Sequence, residues 1–224
     1  MFNRQVFNQN VRGYHSTFQE HGYVHLKRVI SSAMLDYLSD CYTRAHQGTD
    51  GDLAERRLGG WKRQFLFKFP SYADALELRE VISRITDLPT ENITLSERHL
   101  YIYDDNAADF PAPHKDRSAS LVAIGIPVFV PDATRVCVLP HLGRDANTAP
   151  KAIYQSEYAN EAAYAAPETI QMREEVGDMV MFLGSQLYHA RIRPAGTATV
   201  YFKVNIDGSD PLRENIYAEA QAAQ

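Results

Sequence analysis

Two periodicities divide the chain. Between residues 16 and 92 apolar positions recur every three or four residues, and from Ile93 onward they alternate. Leu35, Leu38, Tyr42 and Ala45 follow Ser31 and Ser32, either of which can cap a helix, so an amphipathic helix is predicted from there to the break near Gly48. Leu76, Leu78, Val81, Ile82 and Ile85 repeat the pattern between Ser71 and the stop at Pro89. Ahead of both, residues 16–30 read as a short helix and then an extended stretch, Gly22-Tyr23-Val24-His25-Leu26-Lys27, suited to an edge strand. Residues 48–63 are polar, with Gly51, Gly59 and Gly60, and predict a loop, possible lid included, before the apolar run Phe65-Leu66-Phe67.

In the second half, residues 95–104, 121–130, 134–139, 168–172, 179–183 and 197–206 carry strand patterns separated by turn residues, and only residues 156–166 admit a short surface helix. Helices first and strands afterwards predict an α+β chain whose strands form a sandwich, jelly roll or small barrel. No internal repeat is present, and the tail from Ala218 to Gln224 reads as a helical or frayed end.

A length of 224 residues suits one domain with its own core, and 45% hydrophobic and 23% charged residues are ordinary for a folded, soluble chain. The formal net charge of -5 argues against a broad cationic surface, and with it against nucleic acid or anionic lipid as partner. Cys41 and Cys137 are too few for a disulfide framework and form no Cys-x-x-Cys pair, which points to a reducing compartment. No apolar run is long enough to span a membrane, and the polar start Met1-Phe2-Asn3-Arg4-Gln5 has no signal-peptide core, so the expectation is a cytoplasmic protein.

Chemistry enters with Pro113-His114-Lys115-Asp116. In an extended segment residues two apart share a face, so His114 and Asp116 can aim at one metal while Lys115 faces outward. A third donor is offered by the stretch from Gly177-Asp178 through the apolar run Met179 to Leu183 to a second turn and His189. Two neutral imidazoles and one carboxylate on one side of an ion leave positions for cosubstrate and O₂, whereas a closed structural site takes four protein ligands. Alone, His114 and Asp116 read equally well as a surface pair. His15, His21, His25, His46, His99 and His141 join no second constellation.

The order Gly22-Tyr23-Val24-His25-Leu26, His114-x-Asp116, then Gly177-Asp178 running to His189 resembles the Fe(II)/2-oxoglutarate-dependent dioxygenases, most nearly their phytanoyl-CoA-dioxygenase-like branch. The resemblance implies one domain over residues 1–224, a mainly helical flank (1–92) on a jelly-roll core (93–210), that is, a double-stranded β-helix with N-terminal flanking helices. It implies Fe(II) held by His114, Asp116 and His189, 2-oxoglutarate as cosubstrate turned to succinate, and O₂ used to hydroxylate a small metabolite or amino-acid-like substrate. Desaturation, epoxidation or ring formation would use the same iron; halogenation is disfavoured because Asp116 fills the carboxylate position.

The branch usually carries an arginine about ten residues after the distal histidine for the far carboxylate of 2-oxoglutarate, and this chain has Thr199 and Val200 there. Alternation from Thr197 to Asn205 puts Thr199, Tyr201 and Lys203 on one polar face, which makes Lys203 the favoured anchor, with Thr199 or Tyr201 adding a hydroxyl. Arg191 and Arg193 compete for that role. Tyr101 and Tyr103 share a face that either lines the cosubstrate pocket or packs the sheet. Arg98, Arg117 and Lys68 could meet an acidic substrate or stay solvated. Two other classes fit less of the pattern: a cupin-like metalloenzyme without 2-oxoglutarate, which usually has a His-x-His pair absent here, and a non-catalytic jelly roll that binds a small molecule. Nothing in the pattern specifies an oligomeric state.

Overall fold

The computed structural model describes residues 6–7, 11–48, 55–58, 61–158, 160–211, 213 and 215–217. The predicted tail and the polar start lie outside them, as do Gly51, Gly59 and Gly60.

In chain order the elements are α1 (His15–His21), β1 (Tyr23–Leu26), α2 (Ser32–Gln47), β2 (Glu55–Leu58), β3 (Lys62–Leu66), α3 (Tyr72–Thr86), β4 (Thr94–Tyr103), β5 (His114–Lys115), β6 (Val122–Phe129), β7 (Arg135–Leu139), β8 (Tyr154–Gln155), α4 (Glu161–Tyr164), β9 (Ile170–Met172), β10 (Met179–Phe182), β11 (Tyr188–Ile192) and β12 (Ala198–Asn205). All pairings are antiparallel. A seven-stranded sheet runs β1-β10-β6-β12-β4-β3-β2, and a five-stranded sheet runs β8-β5-β11-β7-β9. Non-consecutive strands lie side by side in both, so the chain passes repeatedly between the sheets, as in a jelly roll.

Local chemistry explains the helices. Ser31 Oγ accepts from Met34 N at 3.2 Å to open α2, which buries Met34, Leu38, Cys41 and Ala45 and ends at Gly48 with φ 65°. Ser71 caps α3, whose buried face is Ala75, Leu78, Val81, Ile82 and Ile85. Both faces share one core with Leu95, Leu100 and Ile102 of β4, Ile124 and Ile126 of β6, and Val200, Phe202 and Val204 of β12. Alternation then sends Thr199, Tyr201 and Lys203 to the opposite face of β12, toward the smaller sheet.

The flank before residue 93 carries α1, α2 and α3 and also gives β1, β2 and β3 to the large sheet. Two details correct the sequence expectations. Residues 55–58 and the start of β3 fall in the segment expected to be a loop (48–63), yet 55–58 and 62–66 form a hairpin whose inner strand pairs with β4, Lys62 opposite Tyr103 and Gln64 opposite Tyr101. The surface helix expected over 156–166 is reduced to the single turn of α4.

The Gly177-Asp178 turn has a structural cause. Asp178 is fully buried, accepts from His25 Nε2 and Lys27 Nζ at 2.9 Å each, and from the backbone N–H groups of Arg28 and Glu175 at 3.0 Å each. Burial opposes its charge, but these four donors outweigh it and hold the carboxyl far below its usual range. One carboxylate thereby ties β1 to the turn that starts β10.

Candidate metal centre

The centre begins with a register. β11 pairs with β5 so that His189 sits directly opposite His114, with the ring centroids 4.4 Å apart. Asp116 lies one residue beyond β5, where its N–H donates to Gly184 O at 2.8 Å. One donor atom from each of His114, Asp116 and His189 lies within 4.8 Å of the other two. His114 Nε2 is 3.9 Å from Asp116 Oδ1, and His189 Nε2 is 3.7 Å from Asp116 Oδ2. His189 Nδ1 lies 3.0 Å from the Leu187 carbonyl, which accepts its proton and leaves the Nε2 lone pair facing the carboxylate.

Electrostatics keep the three side chains in their ligating forms. Burial, and then the neighbouring charges, hold His114 well below its usual value, and burial also lowers His189, so both rings are neutral. Burial alone would raise Asp116; the Lys203 ammonium, by its charge and its hydrogen bond, is the largest influence opposing this, and the carboxyl stands at about 2. The Lys203 ammonium pairs with Asp116 Oδ2. Three donors of this kind facing one point, open on one side, fit a divalent metal with exchangeable positions.

Gly184 makes the room. A Cβ at this position would stand 2.2 Å from Asp116 Oδ2 and 3.1 Å from its Cγ. We expect Gly184→Ala to push the carboxylate aside and weaken metal binding by roughly 10–100-fold, the loss typical when a ligand is misoriented. Equilibrium dialysis with Fe(II) or Mn(II) checks this, and wild-type affinity in the variant would contradict it.

The donors open into a cavity of about 310 Å³ between the two sheets. Tyr101, Tyr103, Tyr201, Lys203 and Arg191 all line it. Arg191 is two residues beyond His189 on the same face of β11; its Nε and Nη2 donate to Tyr201 Oη at 3.3 and 3.0 Å, and its Nη1 pairs with Glu174 at 2.5 Å. That ion pair is almost completely buried. Burial opposes the guanidinium charge, but Glu174 more than restores it and raises Arg191 above its usual value.

Other candidates lie elsewhere. Thr199 is fully buried but does not line the cavity, and Arg193 is exposed, 3.7 Å from Glu161 and packed on Phe110. Lys115 does turn away from the donors, yet it is not outward: only 4% exposed, it donates to the Asp145 carbonyl at 2.7 Å and lies over the Tyr188 ring. Arg117 lines the cavity, paired with Glu97. Sequence reasoning missed Lys62, Trp61, Glu97 and Glu174. The first two fall in the segment read as a loop, and the acidic pair Glu174-Glu175 looks like a solvated charge run.

Neither a protein-family model nor a curated protein matches this chain. Solved structures do. The epimerase SnoN, solved with Fe3+, alpha ketoglutarate and nogalamycin RO, is 13% identical with a TM-score of 0.60, covering 92% of this chain and 94% of its own. SnoK, a non-heme alpha ketoglutarate dependent carbocyclase from nogalamycin biosynthesis, is 14% identical with a TM-score of 0.58, over 97% of this chain and 91% of its own. HygX from Streptomyces hygroscopicus, solved with nickel and 2-oxoglutarate, is 10% identical with a TM-score of 0.55, over 88% and 87%. At these identities the likeness is one of fold: the chain has the jelly roll of 2-oxoglutarate-dependent oxygenases. Among the described residues, no helix is long and apolar enough to cross a membrane.

Proposed function

We propose that the protein is an Fe(II)- and 2-oxoglutarate-dependent oxygenase that hydroxylates a small molecule. The observation that carries this reading is the convergence of His114, Asp116 and His189 beside a cavity on a fold shared with proteins solved with a metal and 2-oxoglutarate. His114 and His189 would give the ion neutral Nε2 donors, and Asp116 a carboxylate already ionised at neutral pH. Bound together, Fe(II) and 2-oxoglutarate would supply an oxidant able to take hydrogen from carbon, using O₂ and releasing succinate and CO₂.

The chain's own side chains give the cosubstrate two ends. Arg191 lies two residues past His189, about 7 Å along the strand, which suits the far carboxylate of a five-carbon diacid whose other end reaches the metal. Tyr201 Oη accepts from Arg191 and keeps its own proton to donate to that carboxylate. Lys203, paired with Asp116, stands at the metal end, where its charge would also favour the near end of a bound diacid. Phe182, with its ring 4.5 Å from that of His189, and Val136 give the wall an apolar surface that limits water around the donors. A cavity of this size is at the lower end of the ~300–1,000 Å³ usual for ligand sites, so a cosubstrate and a macromolecular segment would not share it and the substrate is small.

Incubation with 2-oxoglutarate under air tests the reading. Succinate should form only when Fe(II) is added, and tightly bound metal without any succinate would move the protein to the cupin-like class.

A further inference from the structure

Among the described residues, the cavity wall carries four cationic side chains, Lys62, Arg117, Arg191 and Lys203. Three are matched one to one by carboxylates: Arg117 by Glu97, Arg191 by Glu174 and Lys203 by Asp116. Lys62 has no carboxylate within ion-pair distance among the described residues; Asp116 and Glu97 attract it only from farther away, and its ammonium lies over aromatic faces, 4.5 Å from the centre of Tyr101, 4.9 Å from Trp61 and 5.7 Å from Tyr103. A partly buried, unmatched ammonium is unfavourable unless an anion joins it. Burial, with the charge of Lys203 next, lowers Lys62 to about 8.

We infer that Lys62 receives a carboxylate of the substrate, so that the enzyme acts on a small organic acid with an apolar body. The inference rests on the function proposed above. A divalent metal and a doubly charged 2-oxoglutarate cancel each other, so the surplus positive charge of the wall is still there when both are bound. Position separates this site from the cosubstrate's: Lys62 belongs to β3, two strands from β12 in the large sheet, whereas Arg191 and Tyr201 come from β11 and β12. Lys62 adjoins half-buried Trp61 in the lining, and Ile153, 56% exposed, gives the same cavity a solvent-facing apolar residue. The two side chains offer apolar surface to the rest of such a molecule, while the caged ammonium takes its charged end.

Calorimetric titration of the anaerobic protein loaded with Fe(II) and 2-oxoglutarate tests this, with phenylacetate and hexanoate as probes against phenylacetamide and hexanamide. The acids should bind roughly tenfold or more tightly than their amides, the range of one charge-assisted hydrogen bond. Lys62→Gln should abolish that preference, Lys62→Arg should keep it, and the 2-oxoglutarate Kd should change less than threefold in both (roughly, the limit of an indirect effect). Equal binding of acids and amides by the wild type overturns the inference. So does a tenfold or larger rise in the 2-oxoglutarate Kd of Lys62→Gln with metal retained, which would make Lys62 the cosubstrate's anchor. If the wild type binds neither metal nor 2-oxoglutarate, the proposed function fails, and the same titration without them still decides Lys62: an acid preference lost in Lys62→Gln supports it, and no preference overturns it.

Discussion

His189→Ala should leave the protein folded but unable to retain iron through dialysis, and His114→Ala should do the same. Loss of partners behind a metal ligand already costs ~10–100-fold in affinity, so loss of the ligand itself should exceed that range. The expectation is specific because the two rings approach the ion from a paired position, with Asp116 closing the third side, and no other described residue joins the cluster. His189→Gln separates ligation from packing, since it keeps most of the volume at a position only 6% exposed. Metal analysis after dialysis and succinate release should fall together in all three variants. Full metal content in His189→Ala would remove the centre from the protein's chemistry. The metal-free protein should also have a stated pH dependence. His114 and His189 are held below 6.5 in the fold, so below that pH the unfolded chain binds protons there that the native state does not, and stability falls as the solution becomes more acidic. Asp116 extends the loss in the same direction, from its unfolded value of 3.8 down to about 2. Melting temperature against pH measures this, and a rise in melting temperature between pH 6.5 and 5 would contradict rings held neutral by the fold.

Glu174→Leu should destabilise the protein by about 3–5 kcal/mol, because it leaves Arg191 charged and uncompensated with a side chain 2% exposed. For a domain of this size that corresponds to a melting temperature lower by about 6–20 °C. Arg191→Met strands Glu174 and should cost a similar amount. The two substitutions combined should restore most of the stability, since an apolar pair of similar volume often replaces a buried ion pair at little cost. They should not restore 2-oxoglutarate affinity, because the proposed partner of the far carboxylate is gone. Thermal melts and 2-oxoglutarate titrations of the four proteins in this cycle separate the two effects. Additive losses of stability in the double variant would show that the pair does not act as a unit; recovered 2-oxoglutarate affinity would assign the far carboxylate to another group, Lys203 first.

Legibility in the sequence followed the polarity of each environment. β4, β6 and β12 were readable because one face of each packs on the helical core, so Leu95, Leu100, Ile124, Phe202 and Val204 mark the apolar side of an alternation. β3 was not, because its cavity-lining residue is the charged Lys62 and Gln64 shares that face, and a strand with polar groups pointing inward resembles a loop. His114, Asp116 and His189 stood out through spacing and order alone. Their supports did not: Gly184 read as an ordinary turn glycine, and the pairing of Glu174 with Arg191 joins residues with no local signature. The role of Lys203 was also underdetermined, since face alternation places its backbone and not its ammonium. Only the folded arrangement sets that ammonium against Asp116.

The pairing of His189 with His114 across β11 and β5 has a consequence for assembly. Were β11 to slip by a single residue, every side chain on it would exchange faces, and His189 would look away from its partners. Ion capture therefore discriminates between correctly and wrongly threaded chains. During refolding, the fraction of molecules that take up metal should equal the fraction with native strand alignment, which makes metal stoichiometry a direct count of successful folding.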